Sequence, residues 1–143
     1  MKTLVITSAD IKKSDLYWSD YVGAEDVSDF DGHIKIEANL GYINFSSIKV
    51  SGSIVANNGS GIEAGWGIKA GAGIKAGWGI KAGAGIEAGL FITCKLVLKV
   101  SCRVFAGLAI WKKEVTNEEK TITCKRLEGG IISYGILKET DNK

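Results

Sequence analysis

The chain reads as an all-β protein, a single-stranded β-helix. Three observations predict that fold class. First, a six-residue unit repeats through the middle: Gly61-Ile62-Glu63-Ala64-Gly65-Trp66 is followed by Gly67-Ile68-Lys69-Ala70-Gly71-Ala72, and the series runs on to Leu90. A unit this short buries its apolar face only by stacking on neighbours. Second, Ile and Ala alternate with Lys or Glu inside each unit, the two-residue period of a strand. Third, eleven glycines fall between Gly59 and Gly89, and proline is absent from all 143 residues. Each glycine disfavours helix by about 1 kcal/mol relative to Ala, while a proline-free ladder keeps every backbone N–H.

The isoleucine position, i, sets the frame. It recurs without a slip from Ile62 through Ile68, Ile74, Ile80, Ile86, Ile92, Leu98 and Val104 to Ile110, and Ile122 falls two units later. Upstream, Ile36, Tyr42, Ile48 and Ile54 keep the spacing. Two extra residues around Asn57-Asn58-Gly59-Ser60 read as a turn or bulge. Position i+2 is small (Ala64, Ala70, Ala76, Ala82, Ala88, then Cys94). Position i+4 is apolar (Trp66, Ala72, Trp78, Ala84, Leu90, Leu96, Cys102 and Leu108). All three positions are expected inward, the tryptophans included, and the charged i+1 column outward.

Glycine at i−1 and i+3 permits the positive φ of a corner, so each unit reads as one short side of a coil. Two sides give a flattened 12-residue coil and three give a triangular 18-residue coil. The Trp66/Ala72/Trp78/Ala84 alternation suits the first. Charge stacking leaves both open. The triangular coil puts Glu63 on Lys81 and Lys69 on Glu87, but also Lys81 on Lys99. Exposed cross-strand pairs contribute only a few tenths of a kcal/mol.

Ile48-Lys49-Val50-Ser51-Gly52-Ser53-Ile54-Val55-Ala56 resembles the V-x-G-x-I-x-A rung of bactofilins, through Val50, Gly52, Ile54 and Ala56. The resemblance covers residues 34–110 at the level of the repeat. It implies a triangular, right-handed β-helix that polymerises without nucleotide. Left-handed hexapeptide acyltransferases place a small residue two before the aliphatic one; Trp66 and Trp78 hold that place here. The chain is also similar to glycine-rich solenoid proteins of gut bacterial genomes and their mobile elements. That likeness implies a phage or mobile-element protein that inhibits a host protein such as a CRISPR nuclease.

Three segments follow in order. Residues 1–33 lack the frame and carry seven acids against three lysines. They read as an acidic cap over the open edges of the first coil, with Ser14–Val22 a turn or short helix. Residues 34–110 are the solenoid. Residues 111–143 begin with a charged loop, Lys112 to Lys120, return in Ile122-Thr123-Cys124 and Ile131-Ile132-Ser133-Tyr134, and end in a polar tail from Lys138 to Lys143. No apolar run reaches the roughly 18 residues of a membrane span. Met1–Ser8 lacks the apolar core of a signal peptide. Both point to the cytoplasm.

No catalytic, cofactor or metal constellation is expected. Gly65-Trp66-Gly67 with Gly71 misses the spacing of a dinucleotide fingerprint and opens no helix. Asp29-Phe30-Asp31-Gly32 is only a fragment of a calcium loop and reads as a turn. Cys94, Cys102 and Cys124 lack a C-x-x-C pair and read as buried thiols, leaving the single His33 without zinc partners. Lys69, Lys75, Lys81, Lys95 and Lys99 could meet phosphates. Glutamates interrupt that series, so nucleic acid is not the expected partner.

The candidate site lies at the C-terminal coils. The outward column turns aromatic at Phe105 and Trp111, beside Arg103, Lys112 and Lys113. Exposed aromatics beside arginine commonly anchor protein interfaces. The alternative is that residues 121–137 fold over both rings and make them core. The expected function is a non-enzymatic protein-binding module, engaging another protein or a second copy of this chain. A self-assembling scaffold is the alternative.

Overall fold

A computed structural model describes residues 2–140. Nineteen short strands lie among them. The first eight are β1 (Thr3–Ile6), β2 (Ile11–Lys13), β3 (Trp18–Tyr21), β4 (His33–Ile36), β5 (Gly41–Phe45), β6 (Ile48–Val50), β7 (Ile54–Ala56) and β8 (Ser60–Ala64). The next seven are β9 (Ile68–Ala70), β10 (Ile74–Ala76), β11 (Ile80–Ala82), β12 (Ile86–Ala88), β13 (Ile92–Cys94), β14 (Val97–Val100) and β15 (Arg103–Ala106). After a loop come β16 (Thr121–Cys124), β17 (Arg126–Glu128), β18 (Ile131–Tyr134) and β19 (Ile136–Glu139).

From β4 onward each strand pairs in parallel with the strand three later, so the chain winds as a three-sided β-solenoid. Sheet A runs β1-β4-β7-β10-β13-β16-β19, sheet B runs β17-β14-β11-β8-β5-β3-β2, and sheet C runs β18-β15-β12-β9-β6. Ile80 pairs with Ile62 and Leu98, and Ile86 with Ile68 and Val104, an 18-residue coil. The Trp/Ala alternation that suits 12 residues therefore does not set the coil. Glu63 stacks beside Lys81, Lys69 beside Glu87, and Lys81 beside Lys99.

Coil length varies at corners and at one register shift in β18, opposite Val104 and Phe105. The turn at Asn57–Ser60 is closed by Ser60 N–H donating to Asn57 O at 3.0 Å. It lengthens the coil from Ile54 to Ile74 to 20 residues. The buried Ser60 hydroxyl is satisfied there, accepting from Leu40 N–H at 3.1 Å and donating to Glu37 O. A second excursion leaves at Gly107, whose φ is +91°, and separates the paired Ile92 and Ile122 by 30 residues.

The core is one continuous stack of the i and i+2 side chains. Ile54, Ile62, Ile74, Ile80, Ile86 and Ile92 are fully buried, each followed two residues on by a buried Ala or Cys. At roughly 1.5–3 kcal/mol per buried aliphatic side chain, this column supplies most of the drive to fold.

Several expectations are corrected. Ile34, not Ile36, takes position i, because it pairs with Ile54. Ile43, not Tyr42, pairs with Ile62. Ile110 is 98% exposed rather than core, since the ladder ends at Ala106. The i+4 residues do not point inward: Trp66 is 72% exposed, and Cys102 is exposed where Cys94 and Cys124 are buried. Glycine at i+3 turns the chain, so inward/outward alternation stops before i+4.

The hexad glycines are also not positive-φ corners; none of those from Gly61 to Gly89 has φ above zero. Most of them, though not Gly65, are required by close stacking. A Cβ on Gly85 would stand 2.7 Å from Arg103 O, and one on Gly83 would collide with Gly65 O.

The acidic N-terminal segment forms a first, irregular coil. β1 joins sheet A, β3 joins sheet B, and Phe30 bridges to Val50 beside sheet C. Ser14–Val22 is a turn and a strand, not a helix. β2 lies antiparallel on the outer edge of β3, and its Ile11 packs on the core. In the expected polar tail, Lys138 and Glu139 belong to β19, and residues 141–143 lie outside the described residues. Among the described residues, no helix is long and apolar enough to cross a membrane.

Candidate interaction surface

Sheet C and its corner toward sheet A carry the predicted residues. The outward column of sheet C reads Lys49, Lys69, Glu87 and Phe105 in register, with Tyr134 opposite Phe105 after a register shift. Residues 121–137 do not fold over it; their strands extend the three sheets. β18 extends the sheet sideways instead, and Tyr134 stands beside Phe105. Phe105 is half-buried, lying along the column, while Tyr134 is 46% exposed.

The loop after Gly107 forms an apolar outcrop at the corner. Leu108 is 37%, Ile110 98% and Trp111 62% exposed. The Trp111 indole N–H donates to Gly71 O at 3.2 Å, which pins the ring to the corner of an earlier coil. These three side chains line a groove of about 540 Å³ with Lys69 and Glu87.

The basic residues divide. Arg103 is exposed and donates from Nη1 to Ser133 Oγ at 3.2 Å. Lys113 is exposed. Lys112 is partly buried and pairs with Glu119, so it fastens the loop rather than facing a partner. The Lys112 ammonium and the Thr116 N–H, 3.0 Å from Oε1, hold the Glu119 carboxyl down at about 2. Of the five predicted residues, Arg103, Trp111 and Lys113 are exposed, Phe105 is partly covered and Lys112 is occupied.

Sequence reasoning missed Leu108, Ile110 and Tyr134. The run Leu108-Ala109-Ile110-Trp111 between a glycine and two lysines is the available signal. Extending the hexad frame through Gly107 hides it.

It also missed an aromatic cluster at the N-terminal side of sheet B. Trp18 stacks on Tyr42 at 5.6 Å, Trp78 meets Tyr42 at 5.4 Å, and Tyr17 meets Trp78 at 6.1 Å. Gly61 and Gly79 make the bed for the Tyr42 ring; Cβ atoms there would come within 2.6 and 2.5 Å of its side chain. Burial raises the Tyr42 phenol above its ordinary range.

A groove of about 720 Å³ near the same end is lined by Asp20, Glu25, Asp26 and Glu63. Hydrogen bonds from Ser28 lower the Asp26 carboxyl. The lysines considered for phosphate contact are dispersed: Lys69 lies on sheet C, Lys75 on sheet A, and Lys81 and Lys99 on sheet B. No single basic stripe forms from them. Burial pushes the Cys94 thiol up to about 12, with Cys124 adding to it, and Cys124 to about 11, with Glu139 adding to it. His33 Nδ1 accepts from Ser53 N–H at 2.9 Å. Among the described residues, no three His, Cys, Asp or Glu side chains gather as a metal site.

Comparison with protein-family models, with curated proteins and with solved structures finds no match to this chain.

Proposed function

We propose that the protein is a non-enzymatic binding module, a rigid β-solenoid that presents the Leu108–Trp111 outcrop and the neighbouring sheet C column to another protein. The observation that carries this reading is the exposure of Ile110 at 98% beside Trp111 at 62%, on a loop held in place at both ends of its charged stretch. Ordered, exposed apolar side chains rimmed by charge are the usual anchors of a protein contact. The repeat-level likeness to solenoid proteins of mobile elements supports a specific role. In that role the chain is a small inhibitor acting in the bacterial cytoplasm on a host protein such as a CRISPR nuclease.

The test is DNA cleavage by a panel of CRISPR nucleases with the protein added, together with cross-linking from a photoreactive residue at position 110. Wild type is expected to inhibit one of them and to cross-link to it. Ile110→Asp with Trp111→Ser should abolish both while leaving the melting temperature nearly unchanged. Inhibition that survives the double substitution would move the contact elsewhere, with the acidic groove next in line. A self-assembling scaffold is the weaker reading, because the antiparallel β2 occupies the sheet B edge on which an endless parallel ladder would have to continue.

A further inference from the structure

The two ends of the solenoid differ. At the N-terminal end antiparallel β2 lies along the edge of sheet B, Ile6 is fully buried, and Leu4 and Ile11 are partly buried against the core. At the other end Leu127, Ile132 and Leu137 occupy the inward register of sheets B, C and A, yet each is only partly buried. Ile131 and Ile136 beside them are 62% and 41% exposed. Among the described residues, no further strand follows β17, β18 or β19 in its sheet.

The backbone there is also directed outward. In the regular coils the N–H at position i donates to the following coil, as Ile62 does to Gly79 O at 3.2 Å. Leu127 holds the equivalent register, and its N–H is met at 2.9 Å by the Glu139 carboxylate. A side-chain oxygen thus stands in for the carbonyl of a coil that would come next.

We propose that this end is a homodimer interface, in which two copies of the chain meet tail to tail about a two-fold axis through β17. The occupant is fixed by shape and by charge. Three strand edges set as a triangle are matched together by another triangular end, and at the N-terminal end the antiparallel β2 on sheet B breaks that set of three parallel edges. A two-fold axis perpendicular to the rod reverses strand direction, so β17 lies antiparallel to its counterpart and β18 faces β19 of the second copy. Centred on Leu127, Arg126 of each copy then faces Glu128 of the other. The pair that each chain now makes within itself, at 2.7 Å, is exchanged between copies. Isoleucines and leucines meet at the remaining two edges. An isologous contact of this kind closes at two copies and does not grow.

The proposal does not depend on the Trp111 outcrop and is tested apart from it. Sedimentation equilibrium of the full chain across micromolar concentrations should show a monomer–dimer equilibrium. Arg126→Glu and Glu128→Arg should each weaken dimerisation about tenfold or more, since like charges then face across the axis. Melting should stay close to wild type, because both side chains reach solvent. Mixed in equal amounts, the two reversed variants should form a heterodimer. One chain then carries acids at both positions 126 and 128, and the other carries bases at both. Opposite charges face each other only between the chains, so restored pairing within one chain cannot explain the recovery. Trp111→Ser should leave dimerisation unchanged. A monomer at every concentration, a dimer that neither reversal weakens, a mixture that does not recover, or open-ended assemblies would each overturn the proposal.

Discussion

The ammonium of Lys81 lies 4.8 Å from the centroid of the Tyr42 ring. Tyr42 stacks on Trp18, and the same ammonium is 5.1 Å from that ring, so one cation faces two π-systems contributed by other coils. Lys81 also sits between Glu63 and Lys99, whose effects on it oppose each other. The ring contacts are therefore what distinguish Lys81 from the other hexad lysines. Lys81→Ala should cost about 0.5–1 kcal/mol. Lys75→Ala, in the same hexad position but between Val55 and Thr93, should cost nothing measurable. Tyr42→Ala should cost about 3 kcal/mol or more. Urea denaturation of the three variants checks the order; equal losses at Lys81 and Lys75 would remove the cation–π assignment.

Two glycines in identical sequence positions should respond oppositely. A Cβ on Gly83 would drive into Gly65 O, whereas one on Gly65 meets only Ser46 O at 3.8 Å. Gly83→Ala should destabilise by about 1–3 kcal/mol, as overpacking does. Gly65→Ala should be neutral or gain about 0.4–1 kcal/mol by restricting the unfolded chain. Thermal melts of both variants decide it.

Coil length predicts which deletions are silent. Removing residues 67–84 takes out one 18-residue turn and lets β8 stack on β14, and β6 on β12, without changing faces. Removing 67–78 shifts every later strand by one face. The first variant should melt cooperatively as a shorter rod. The second should melt lower and less cooperatively than the first, because its hexads still stack inside but the later corners and the loop after Gly107 meet the wrong faces.

The three thiols should separate by reactivity. Cys102 is exposed, whereas Cys94 and Cys124 are buried, with thiols pushed up to about 12 and 11. Since the thiolate is the reactive form, a disulfide reagent near neutral pH should titrate one thiol in the native protein and three in denaturant. Three fast thiols in the native state would contradict the inward placement of Cys94 and Cys124.

The loop after Gly107 should loosen in acid. Glu119 is held at about 2, below the ordinary glutamate value of about 4.3. A depressed carboxyl stabilises the folded loop above its unfolded value, and that contribution fades as pH falls toward the folded one. Protection of the Thr116 amide, corrected for intrinsic exchange, should persist near neutrality and vanish toward pH ~2. Lys112→Ala should move that loss to higher pH, since Lys112 is the leading cause of the depression.

Much of this is written in the hexads. The Ile and Ala positions, the turn at Asn57–Ser60 and the return at Ile122 follow from spacing, because a buried aliphatic column tolerates no slip. Placing the i+4 residues inward fails because strand alternation does not carry across Gly65, Gly71 and Gly77, where the chain turns. Tyr42 escapes the frame because β5 begins at Gly41, with φ +73°, and the side from Ile34 to Ile43 takes nine residues instead of six, which no repeat marks. Ile110 misleads because a hydrophobic residue in frame looks like core until the backbone leaves the ladder. The candidate site is legible in composition, in its aromatic and basic residues. Its geometry is not, since it depends on a loop that obeys no period.

The sameness of the rungs leaves a problem of phase. Ile68-Lys69-Ala70, Ile74-Lys75-Ala76 and Ile80-Lys81-Ala82 are identical strands on three different faces. A chain wound one side out of step would still set Ile on Ile and Ala on Ala, so the interior barely distinguishes right from wrong threading. The exterior does. Trp78 reaches Tyr17 and Tyr42 only when its unit occupies its own corner, and a unit ending in Ala72 or Ala84 offers no ring there. The surface aromatics therefore act as the index mark of an otherwise uniform thread, telling the chain where to start counting.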